Sequence, residues 1–119
     1  MNQIKPLLSK FNKSEGVMGS LICTHDGMII ESEISERFDR EMISALISSV
    51  GLSLSNACSE LGYDHFSRFL VTASKGNVLL ANLGKSFFVG LLNKTVDNQK
   101  INVAVFQVTN ELKKLSVIG

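Results

Sequence analysis

Residues 35–62 read SERFDREMISALISSVGLSLSNACSELG, the longest periodic stretch in the chain. Asp39 is placed to N-cap a helix, with Met42 three residues on where a full capping box would carry Glu. Gly62 is placed to end it. Ile43, Leu46, Ile47, Val50, Leu54, Ala57, Cys58 and Leu61 recur at helical spacing and predict the core-facing stripe. Phe38, Met42, Ala45, Ser49, Leu52 and Asn56 form a second, semi-apolar stripe around the same helix. A helix covered on one side only carries charge on the other, yet positions 42–59 carry none. Both sides are therefore expected to be covered, one by the chain's own sheet and the other by a partner. Gly51 costs roughly 1 kcal/mol in a helix interior relative to Ala. Its serine-rich neighbourhood suggests a close helix–helix approach there.

Working outward, residues 2–13 predict a short amphipathic helix with Ile4, Leu7, Leu8 and Phe11 on one face and Pro6 in the first turn. Val17–Thr24 predicts a buried strand, His25-Asp26-Gly27 a tight hairpin turn, and Met28–Ser32 the return strand. Glu31, Glu33 and Glu36 are expected in a solvated loop. After the long helix, His65–Ala73, Val78–Leu83 and Phe87–Leu92 predict three more strands. The last is nearly all apolar, as in a central strand covered on both faces. A final helix is expected from about Asp97 to Ser116, burying Ile101, Ala104, Val105, Val108, Leu112 and Leu115. The order α-ββ-α-βββ-α predicts one α+β domain over residues 1–119, a five-stranded, mostly antiparallel sheet with helices on both faces.

Twelve Lys and Arg against eleven Asp and Glu leave a formal charge of +1, which argues against a nucleic-acid footprint or a polybasic membrane patch. No uninterrupted run of 18 apolar residues occurs, and the N-terminus is too polar for a signal peptide, so a cytoplasmic location is expected. Two cysteines there are expected as free thiols. Leu83-Gly84-Lys85-Ser86 lacks the upstream glycine of a phosphate-binding loop and reads as a hairpin turn. His25 and His65, the only histidines, lack metal-ligand spacing and a triad context. No catalytic residue, cofactor or metal is expected. Arg68 stands out as a mid-strand arginine with no acid nearby in sequence.

Gly16-Val17-Met18-Gly19-Ser20-Leu21 followed by Asp26-Gly27 resembles the first hairpin of the roadblock/dynein light chain family, G-V-x-G-x-L…D-G. The resemblance extends through the serine-rich helix, Arg68–Ala73 leading into Lys75-Gly76, and Phe87–Leu92, and so covers nearly the whole chain. It implies a homodimer, or a pairing with a paralogous roadblock chain, in which third strands join edge to edge and the long helices lie side by side. Here these are residues 65–73 and 35–61. The candidate interface is Met42, Ala45, Ser48, Ser49, Leu52 and Asn56 on the helix, and Phe66, Arg68, Leu70 and Thr72 on the strand. The family further implies a regulator or scaffold for a Ras-like small GTPase, acting without catalytic residues of its own and able to stimulate hydrolysis, as in its prokaryotic stand-alone members. The alternative is a light-chain-like adaptor that leaves hydrolysis unchanged.

Overall fold

The computed structural model describes residues 2–115. Three helices and five strands follow in the expected order: α1 (Ile4–Asn12), β1 (Val17–Thr24), β2 (Ile29–Ile34), α2 (Arg40–Glu60), β3 (Arg68–Thr72), β4 (Asn77–Asn82), β5 (Ser86–Leu92) and α3 (Asn98–Lys113). The sheet runs β2-β1-β5-β4-β3, and every neighbouring pair is antiparallel. Apolar β5 lies at its centre and is buried along its full length. Helices α1 and α3 pack on one face through Leu8, Phe11, Ile101, Val105 and Leu112. Helix α2 covers the other, over Leu21, Leu80, Phe87 and Val89.

Local chemistry sets the ends of α2. The Asp39 carboxylate accepts from Met42 N–H at 3.0 Å. At the other end Tyr63 N–H donates to Cys58 C=O and Gly62 N–H to Ser59 C=O, with Gly62 at φ +73°. These two bonds form a Schellman motif, whose left-handed residue favours glycine. Pro6 falls in the first turn of α1, where its missing N–H costs no helical bond.

Several boundaries differ from expectation. The first hairpin closes through Thr24 and Met28 around a three-residue loop ending in Gly27 at φ +92°, wider than a two-residue Asp-Gly turn. Strand β2 runs two residues past Ser32 to Ile34, so Glu31 and Glu33 belong to an edge strand rather than a loop. Strand β3 is only five residues long; His65 and Phe66 precede it. Helix α3 ends at Lys113, and Ser116 lies outside the described residues.

The expected phase of α2 is corrected. Leu46 (58% exposed), Val50 and Leu61 are not core residues, and Ala57 is exposed as well. The seam on the sheet runs through Ile43, Ser44, Ile47, Gly51, Leu54 and Cys58. Small residues occupy it because the Phe87 ring rises from β5 beneath the helix. A Cβ added at Gly51 would lie 2.4 Å from Phe87 Cζ. The close approach at Gly51 is thus helix to sheet, within one chain.

Candidate functional site

With the phase corrected, the outward face of α2 carries Met42 (54% exposed), Ala45, Leu46, Ser49, Leu52 (63% exposed) and Asn56, still without a charge. Among the described residues α2 is the one helix long and apolar enough to cross a membrane by length and composition alone. Helices that lie on a membrane surface carry Lys and Arg on the polar face, and α2 has neither between positions 42 and 59. Of the other expected interface residues on this helix, Ser48 turns inward. Its Oγ donates to the His25 carbonyl at 2.6 Å and ties α2 to the first hairpin.

Strand β3 forms one edge of the sheet, and all five of its residues are exposed. Asn82 N–H donates to Ser67 C=O at 2.9 Å and Ala73 N–H to Gly76 C=O at 3.0 Å. Antiparallel pairing alternates, so residues 67, 69, 71 and 73 spend their main-chain groups on β4. Those of Arg68, Leu70 and Thr72 point off the edge, where folded chains avoid leaving a bare template. The side chains divide by register. Phe69 pairs with Leu80 and Val71 with Val78, on the α2 face. Leu70 pairs with Leu79 and Arg68 with Ala81, on the α3 face. Phe66 falls out of this alternation. Its ring sits 6.0 Å from that of Phe87 in the α2-side core.

The opposite edge is partly covered. Strand β2 carries Glu31 and Glu33, and Lys5 of α1 pairs with Glu33 at 3.3 Å. Asn12 Nδ2 donates to the Glu33 carbonyl at 2.7 Å, and Arg40 donates to Ser32 Oγ at 3.0 Å. Charge and covering side chains are the usual protection of a sheet edge. Only β3 combines an apolar composition with an open row of donors and acceptors.

Among the described residues no group of three or more His, Cys, Asp or Glu is placed to hold a metal. Cys23 is buried under α2, and burial pushes its thiol up to about 11. An apolar, neutral thiol is a poor nucleophile. A thiol reagent at pH 8 should therefore modify half-buried Cys58 first and reach Cys23 only in denaturant; equal native rates would contradict this burial. The linkage sign follows. Above pH 9.0 the unfolded thiol ionises while the folded one stays protonated, so stability falls as pH rises from 9 to 11, by at most about 3 kcal/mol. Urea titrations of wild type and Cys23→Ala across that window should diverge in this direction.

Of the residues expected at an interface, those of β3 lie exposed on a sheet edge, whereas on α2 Ser48 turns inward and Leu46 and Val50 turn outward. The Leu46 and Val50 part was hidden by assigning those residues to the core. Known proteins agree in fold. The model of the Roadblock/LC7 domain matches residues 4–93. An uncharacterized protein of Methanocaldococcus jannaschii is 23% identical over 112 residues, covering 94% of this chain and 98% of that protein. The structure of Myxococcus xanthus MglB superposes with a TM-score of 0.91 at 13% identity, over 98% of this chain and 90% of MglB. A Roadblock/LC7 domain from Streptomyces avermitilis superposes with a TM-score of 0.86 at 11% identity, over 95% and 97% of the two chains. The chain belongs to the Roadblock/LC7 domain family.

Proposed function

We propose that this chain is a dimeric regulatory or scaffold module that engages a Ras-like small GTPase. A second copy, or a paralogous roadblock chain, covers β3 and the outer face of α2. The observation that carries the reading is the adjacency of two uncovered features: an uncharged helix face and an apolar strand whose Arg68, Leu70 and Thr72 main-chain groups have no place in the sheet. Paired edge to edge, two copies would satisfy those groups and bring Phe69 and Val71 of both chains under the α2 pair. Leu52, Met42, Ala45, Ser49 and Asn56 are the helix positions of that pairing, joined by Leu46 in place of Ser48. The outer surface of the paired helices is the docking surface we assign to the GTPase. The chain acts there by binding the GTPase's own mobile loops; it supplies no catalytic group.

The test uses the small GTPase encoded nearest this chain. Its GTP hydrolysis is followed with and without the protein, alongside binding in the GTP and GDP states. Nucleotide-dependent binding supports the reading, and faster hydrolysis makes the protein an activator. Binding with unchanged hydrolysis places it among scaffolds and adaptors. No binding to the GTPase in either state overturns the GTPase reading.

A further inference from the structure

One groove on the molecule has a charge character that the overall composition hides. It begins as a cleft of about 200 Å³ between β3 and α3, walled by Arg68, Phe106, Asn110 and Lys113. It continues, through shared Ser67, Asn82 and Lys113, into an open cleft of about 540 Å³ at the end of the sheet. His25, His65, Leu52 and Phe66 line that second part. Neither part is lined by an Asp or Glu, in a chain with eleven of them. Arg68 and Lys113 form no ion pair with any described residue, whereas Lys5, Lys100 and Lys114 each do. Phe106 stands 58% exposed on the groove wall although it belongs to a well-packed helix.

The walls are also held in place. The His25 ring stacks on Phe87 with centroids 4.4 Å apart, and its carbonyl is fixed by Ser48. Asn82 Oδ1 accepts from Gly84 N–H at 3.0 Å and orients the β4–β5 turn. The groove is therefore formed before anything enters it, which lowers the ordering cost of binding.

We propose that this groove takes an extended acidic segment of a partner protein, its carboxylates on Arg68 and Lys113 and its apolar side chains against Phe106 and beside Phe66. Complementary charge sets the class of partner. The two cations stand on different elements with apolar walls between them, a pattern that suits a chain alternating acids with large apolar residues. A lone phosphate would want convergent donors, and here the two cations stand apart, Arg68 on β3 and Lys113 on α3. Nucleic acid would want many more cations than two. Arg68 serves both surfaces without conflict, since its main chain points off the sheet edge while its side chain lies on the α3 face.

The probe is a fluorescein-labelled octapeptide alternating Glu with Phe and Leu, followed by fluorescence anisotropy against the full chain at low salt. The expected result is saturable binding that weakens about tenfold on raising salt to physiological strength. The same peptide with Gln for every Glu should bind at least about tenfold more weakly. Lys113→Glu and Asn110→Asp, both on α3 and away from the β3 edge, should abolish or sharply weaken binding. Lys13→Gln, at the C-cap of α1 and lining neither cleft, should leave it unchanged. Equal binding of the Glu and Gln peptides, full affinity in Lys113→Glu, or no binding at low salt each overturns the proposal. Inorganic phosphate displacing the acidic peptide at millimolar concentration would reassign the groove to small anions. None of these readouts involves a GTPase, so failure here leaves the reading of the docked GTPase untouched.

Discussion

Leu70→Pro is expected to give a folded monomer. Wild type should sediment at tens of micromolar as a species of twice the 13.0 kDa chain mass, and the variant at the chain mass itself. The reasoning is specific to this position. The Leu70 N–H points off the open edge, so proline removes a donor that β4 never used, and edge strands tolerate proline in that orientation. Phe69→Pro and Val71→Pro, one residue to either side, remove N–H groups that bond β4 and should unfold the edge of the sheet instead. The contrast between neighbours distinguishes loss of pairing from loss of fold. Leu52→Arg is the companion on the helix. It places a charge from each subunit into the paired helices, and burying it without a partner costs several kcal/mol. Retention of the dimer in both Leu70→Pro and Leu52→Arg would show that the chains meet elsewhere, and a monomeric wild type would remove the interface altogether.

Gly51→Ala is expected to destabilise the fold by about 2–3 kcal/mol, the cost of overpacking a core. The sign is the informative part. In an exposed helix the same change stabilises by about 1 kcal/mol. Here the new methyl would meet Phe87 Cζ at 2.4 Å and Cε2 at 2.5 Å. The ring has little room to give, because His25 stacks on it and Phe66 packs beside it. Phe87→Leu should recover much of the loss in the double variant, a coupling measurable by urea unfolding of the four proteins. A neutral or stabilising Gly51→Ala would mean that α2 rides higher on the sheet than described. Because the pairing face proposed above lies on α2, Gly51→Ala should weaken association in parallel with stability.

Much of this molecule is legible in its residues. Asp39 and Gly62 mark the ends of α2 because capping is local chemistry, readable within three or four positions. The apolar run Phe87–Leu92 announces the central strand. What misleads is the phase of α2. Large apolar residues line more than one side of it, and periodicity assigns Leu46 and Val50 to the core. The side facing the sheet instead carries Ser44 and Gly51, since a phenylalanine already fills that space. A partner's apolar surface and the chain's own core attract the same residue types, so composition alone does not separate them. The groove was half visible. Arg68 is conspicuous as a strand arginine with no acid near it, but Phe106, Asn110 and Lys113 reach it only through tertiary folding.

The unequal edges of the sheet also decide how far assembly proceeds. If β2 and β3 were both open, each chain could add its β3 to the next chain's β2, and head-to-tail pairing would propagate as a fibre. Glu31, Glu33, Lys5 and Asn12 put charge and a covering side chain on the β2 side. In the pairing proposed above, the β3 edge joins another β3, a union that consumes both open edges at once. Growth along this edge would then stop at two chains and a ten-stranded sheet, which would convert the polymerisation hazard of an exposed strand into a fixed count.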